Sequence, residues 1–195
     1  MADQTRTRER SLEAAASETR LYEPKIYDYA IDELERAAKG RIVIKATDRL
    51  WDMHRQANSK RYLSPLEPEL KDTATRYWEV FLQIFPERSG KHRHQGGLVI
   101  FILEGKGHSV YDGKRKDWEA GDLMLLPMTP GGIEHQHFNH DPDKPAKWIA
   151  FMYWPYYDYG GSEITQLETS PLYDKWLERM AEKDGQFDGP ARGKK

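Results

Sequence analysis

Four of the chain's seven histidines stand in two pairs, His92-Arg93-His94 and His135-Gln136-His137. In an extended strand residues i and i+2 point the same way, so each pair can present two imidazoles to one side. Neutral imidazoles gathered in an interior cost free energy unless they are hydrogen-bonded or share a cation. A divalent ion offsets that cost, and it is the chemistry the repeated His-x-His spacing points to. The other reading, ordinary surface or hydrogen-bonded histidines, accounts for one such pair more readily than for two. Leu98, Ile100 and Ile102 share the parity of His92 and His94, so the histidines are expected to face the interior of whatever this strand builds. Val99, Phe101 and Leu103 make the other face apolar too, and such a strand needs a second cover, another sheet or another subunit.

The segments that must position these residues read as short strands. "RYWEVFLQIF" from Arg76 alternates and is rich in aromatic and branched residues, and "GGLVIFILEG" is an apolar run of strand length. Asp112-Gly113 is a hairpin signal inside "GHSVYDGKRKDWEAGD", and "DLMLLP" and "AKWIAFMYW" follow. Short strands punctuated by turns predict an all-β sandwich or barrel rather than alternating β and α units. Upstream, "IDELERAAKG" reads as a helix stopped at Gly40, "RIVIKA" as a strand, and the segment from Thr47 to Leu70 as an irregular arm with turns at Pro65 and Pro68. Downstream, Ser170 as N-cap and Pro171 at the first helical position open a helix whose Leu172, Trp176 and Met180 share one face. Residues 1–20 read as a loose helix or disordered arm, and "GPARGKK" as a loose tail.

Composition narrows the function classes. Lys plus Arg (30) nearly balances Asp plus Glu (32), for a net charge of −2, whereas nucleic-acid and membrane-surface binders need a basic excess. No cysteine is present, which excludes thiolate catalysis, zinc-cysteine sites and disulfides. No window reaches the roughly 20 apolar residues of a membrane span, and "MADQTRTRER" carries no apolar signal core; the expected location is cytoplasmic.

Taken together, His92, His94 and Gly105, then Gly121-Asp122, Pro127, His135 and Asn139, resemble the two signature motifs of the cupin superfamily. The resemblance covers residues 76–158. It implies a double-stranded β-helix, a jelly-roll barrel, over 76–158, with an N-terminal helical or irregular arm (1–75) packed on it and a C-terminal helix and tail (159–195). It also implies His92, His94 and His135 as metal ligands. Most metal-binding cupins have a glutamate ligand where this chain has Leu98, and the remaining three-histidine set is similar to that of gentisate- and salicylate-type ring-cleaving dioxygenases. "EHQHFN" resembles their His-x-His-x-Asn, which makes His137 the candidate acid/base or substrate orienter. The arginine that holds the substrate carboxylate in those enzymes is replaced here by Ile100, so Arg55 in the arm is the candidate substitute. Trp148 and Met152 are candidate substrate contacts, on the condition that their side of the last strand is the inner one.

Three neutral ligands leave a divalent ion's charge in the pocket and coordination positions open. That suits an anionic chelating substrate with O₂ beside it, and Fe(II) is the expected ion, with nickel, manganese, copper and zinc also compatible with the ligands. The functional expectation is an iron dioxygenase acting on a small aromatic or enolisable compound. A metal-dependent lyase, isomerase or decarboxylase, and a non-catalytic ligand-binding cupin, are the competing classes. The two apolar faces of residues 98–103 add the expectation of a homodimer.

Overall fold

The structure is a computed structural model that describes residues 22–70 and 72–184; the expectations for residues 1–20 and for the C-terminal tail lie outside the described residues. The chain divides into two units, Met1–Lys39 and Gly40–Lys195. The first contains helix α1 (Ile26–Lys39), with Asp28 in its first turn and Arg36 and Lys39 in its last, the charge order that complements the helix dipole.

Among the described residues, the second unit has eleven strands: β1 (Asp52–Met53), β2 (Asn58–Leu63), β3 (Trp78–Phe85), β4 (Lys91–His94), β5 (Leu98–Glu104), β6 (Lys106–Tyr111), β7 (Lys114–Glu119), β8 (Leu123–Leu126), β9 (Ile133–Asn139), β10 (Ala146–Tyr153) and β11 (Thr165–Glu168). They form a six-stranded sheet, β1-β2-β3-β10-β5-β8, and a five-stranded sheet, β11-β4-β9-β6-β7. Helix α2 (Trp154–Tyr159) leaves β10, and helix α3 (Pro171–Asp184) closes the described chain. Every expected strand from Arg76 onward is present, all pairings between named strands are antiparallel, and the mostly-β fold with flanking helices is as the sequence predicts.

Alternation decides what lies between the sheets. On β5, Leu98, Ile100 and Ile102 are buried while Val99, Phe101 and Leu103 are exposed. On β10, Trp148, Ala150 and Met152 face inward and pack with Phe85, Trp118 and Met124. The β6–β7 turn has Asp112 at φ 46° and Gly113 at φ 76°, the paired positive values of the hairpin turn that Asp-Gly favours. Ser170 caps α3, its Oγ accepting from the Tyr173 N–H at 3.2 Å.

Two expectations upstream differ from the structure. "RIVIKA" is not a strand: Ile42 and Val43 are exposed, and the segment's one β contact is an isolated bridge between Arg41 and Thr73. Apolar alternation makes a strand only where a sheet edge is free to pair with it. The reverse holds at Asn58–Leu63, inside the expected irregular arm. This polar stretch has no strand pattern, yet it pairs along β3 and brings side chains to the mouth of the barrel. Among the described residues, no helix is long and apolar enough to cross a membrane.

Candidate metal centre

His92 and His135 are direct cross-strand partners on β4 and β9, and His94 is two residues further along the same face of β4. The strand pairing therefore brings the three imidazoles together: one ring nitrogen from each lies within 4.8 Å of the others, and all three residues are buried. The ring centroids are 4.1 Å apart for His92 and His135 and 4.8 Å for His94 and His135.

Two ring nitrogens of the cluster have no hydrogen-bond partner in the protein. Nδ1 of His135 lies 3.1 Å from the Ile133 carbonyl oxygen; a carbonyl only accepts, so Nδ1 carries the proton and Nε2 keeps its lone pair. That Nε2 is buried without a hydrogen-bond partner, and so is Nδ1 of His92. Orphaned buried nitrogens are costly, and a cation shared among the three rings would satisfy them. His94 is held differently, its Nδ1 accepting from the Gly96 N–H at 3.0 Å. Ligation through its other nitrogen would move the proton and give up that bond.

Burial is the main reason all three rings stay neutral, with repulsion between them adding to it for His92 and His94. His94 is brought down to about 3 and His135 to about 4, and His92 lies well below the ordinary imidazole value. Neutral imidazole is the form that ligates a metal.

The turn after His94 is sterically fixed. Gly96 has φ +93°, and a Cβ there would sit 2.0 Å from the Pro127 carbonyl oxygen. This close approach swings the chain from the five-stranded sheet into β5, so that Leu98 lines the same cavity as the histidines. Leu98 thus gives the cavity an apolar wall beside the histidines.

The histidines form one side of a cavity of about 210 Å³. Its lining also includes His137, Trp148, Met152, Phe81 and Tyr157. His137 does not join the cluster but stands beside it, its ring 5.6 Å from that of His135 and 5.5 Å from the Trp148 ring. Its Nδ1 is 2.6 Å from Ser109 Oγ, which in turn accepts from the Trp118 indole N–H at 2.9 Å. Burial keeps His137 neutral as well. Trp118 reaches Ser109 because it crosses Gly107, where a Cβ would come 2.5 Å from the indole ring.

Arg55 is not at this cavity. It sits in the turn between β1 and β2 and lines a separate surface cleft with Arg88 and Tyr173. The arginine at the histidine cavity is Arg61, six residues on in β2, paired through Nε with Glu79 Oε1 at 3.3 Å. Glu79 is itself buried, and burial raises its carboxyl pKa, opposed by its contacts with Ser64 and Arg61. His54, also at the cavity, is brought down to about 4 by burial and then by Arg61.

Sequence reasoning missed Arg61, Glu79, Gln83 and Ser109. A signal existed for two of them: Glu79 and Gln83 share the inward parity of Phe81 and Phe85 on β3, and polar residues at interior positions of a patterned strand call for partners. For Arg61 no local signal exists.

Residues 81–152 match the cupin domain model. They are a cupin domain. A gentisate 1,2-dioxygenase of a Streptomyces species is 28% identical over 116 residues, 54% of this chain and 31% of that protein; the match thus spans less than a third of the relative's own length. Among solved structures, a cupin-like protein of Thermotoga maritima is 19% identical, with 69% of this chain and 96% of that one covered at a TM-score of 0.42. Salicylate 1,2-dioxygenase of Pseudoaminobacter salicylatoxidans is 14% identical, with 74% and 36% covered at 0.44. The polyketide cyclase RemF of Streptomyces resistomycificus is 12% identical, with 71% and 93% covered at 0.48. At these values the structural likenesses say nothing about activity.

Proposed function

We propose that this cupin is a metal-dependent dioxygenase for a small anionic aromatic or enolisable substrate, with Fe(II) held by His92, His94 and His135. The observation that carries the reading is the convergence of three buried neutral imidazoles, with Nε2 of His135 and Nδ1 of His92 lacking protein partners. The similarity to a gentisate 1,2-dioxygenase supports the reaction class. Bound there, an open-sided iron ion would supply the charge and coordination positions that let a chelating substrate and O₂ react side by side.

The chain's own groups do the rest. Phe81 and Trp148, in edge-to-face contact at 5.7 Å, give an aromatic ring flat surfaces to pack on. Leu98 and Met152 exclude water from the wall beside the histidines. Arg61 takes the role expected of Arg55, exchanging its contact with Glu79 for a substrate carboxylate. His137, with Nδ1 tied to Ser109, turns its remaining nitrogen to the substrate to hold or relay a proton. The exposed outer face of the six-stranded sheet, with Val99, Phe101, Leu123 and Leu125, is where we place a homodimer contact, to be read from the mass in solution.

An O₂-uptake screen of the anaerobically iron-loaded protein against catechol-, gentisate- and diketone-type compounds tests the reaction class. Stoichiometric O₂ consumption with at least one of them is expected. Turnover without O₂ uptake would instead establish a non-oxidative lyase or isomerase.

A further inference from the structure

A second group of metal-ligating side chains lies on the outer face of the five-stranded sheet. His108 on β6 stands directly opposite Asp117 on β7 and, on its other side, opposite Phe138 on β9. His140 follows two residues after Phe138, and its main chain is tied to β6 by an N–H bond to the Lys106 carbonyl at 3.0 Å. One ligand atom each from His108, Asp117 and His140 lies within 4.8 Å of the other two. Nδ1 of His108 and Nε2 of His140 are only 2.7 Å apart, an approach that two imidazole nitrogens make only with a proton or a cation between them. The His108 ring is stacked flat on Phe138, with centroids 4.7 Å apart and 4° between planes, so one ligand is already oriented.

A cation of the protein's own occupies part of this group. The Arg115 guanidinium is 2.6 Å from Asp117 Oδ1 and 3.5 Å from Nε2 of His140. It stands where the Asp117 carboxylate favours positive charge.

We propose that His108, His140 and Asp117 form a second metal site, for zinc or a similar divalent transition ion, which Arg115 fills when no metal is present. Two imidazoles and a carboxylate are a ligand set that zinc takes, with water in the remaining position. Tetrahedral bonds of about 2.0–2.1 Å separate two ligating nitrogens by about 3.3 Å. The exposed His140 must therefore turn away slightly, and Arg115 must release Asp117. The site's effect follows from its place in the fold. β7 is the edge of its sheet, so an ion bound by Asp117, His108 and His140 would tie the edge strand to β6 and to the end of β9. This site is independent of the buried histidine cluster and of any reaction carried out there.

The test is zinc titration of the untagged full chain against a chromophoric chelator, comparing wild type with His108→Ala/His140→Ala, Arg115→Gln and His135→Ala. Wild type is expected to bind one equivalent more than His108→Ala/His140→Ala. Removing the guanidinium charge should tighten the outer site by about tenfold in Arg115→Gln at low salt. In His135→Ala, zinc should still slow amide exchange in the β6–β7 hairpin. Equal zinc stoichiometry in wild type and His108→Ala/His140→Ala overturns the proposal, and so does an unchanged affinity in Arg115→Gln. Either failure would leave the buried cluster untouched, because its equivalent is counted separately as the one lost in His135→Ala.

Discussion

Replacing Ser109 by alanine tests how the barrel interior holds its proton-handling histidine. Ser109 is fully buried, and its Oγ joins the Trp118 indole N–H at 2.9 Å to Nδ1 of His137 at 2.6 Å. Alanine fits the space but leaves two buried polar atoms unpaired, each costing about 1–3 kcal/mol. The substitution should therefore destabilise the protein by about 2–6 kcal/mol, which for a domain of this size lowers the unfolding temperature by about 4–24 °C. Urea denaturation followed by tryptophan fluorescence measures this as a shift in midpoint at unchanged slope. Metal affinity should change little, because Ser109 touches none of the three clustered histidines. Turnover should fall, because the His137 ring loses the bond that orients it. A loss of under about 0.5 kcal/mol, the range of an ordinary surface substitution, would refute the reasoning: the serine hydroxyl would then not be the link between indole and imidazole.

Gly96→Ala should cost about 3 kcal/mol or more, since φ is +93° and the new Cβ would meet the Pro127 carbonyl oxygen; a Tm within a degree of wild type would contradict it. Arg61→Ala should raise KM for a carboxylate substrate by about 10–100-fold with a smaller change in kcat, the loss of a charged hydrogen bond, whereas Arg55→Ala should leave KM unchanged. His54 gives a pH dependence. Its folded pKa of about 4 lies below the unfolded value near 6.5, so as pH falls the unfolded chain takes up the proton first. The stability it contributes is complete above pH 6.5 and is lost progressively down to about pH 4. Between pH 7 and 5.5 the loss is about 1 kcal/mol, and His54→Gln should show a pH profile flatter by that amount in urea midpoints. Parallel profiles would rule it out.

Those parts of the fold and the site that rest on strand periodicity were legible in the sequence. The i, i+2 spacing of the histidines and the matching parity of Leu98, Ile100 and Ile102 put both on the inner face. Asp112-Gly113 and Ser170-Pro171 marked a turn and a helix start through their backbone chemistry. What could not be read depends on pairing between distant segments. Asn58–Leu63 is a strand because β3 offers it an edge, and that pairing alone decides that Arg61, not Arg55, reaches the cavity. The two faces of β10 are both apolar, so only the packing of Trp148, Ala150 and Met152 against β5 shows which is inside. Leu98 was legible as a missing ligand. The partners Ser109 and Trp118 were not, because Gly107, which lets the indole cross β6, carries no pattern of its own.

The central claim is that His92, His94 and His135 bind one ion together. X-ray absorption at the iron edge, on protein loaded anaerobically with less than one equivalent of Fe(II), counts the imidazoles around it. Three are predicted in wild type and two in His135→Ala, with much weaker binding. An iron surrounded by oxygen scatterers alone, or a spectrum unchanged in His135→Ala, would contradict the account.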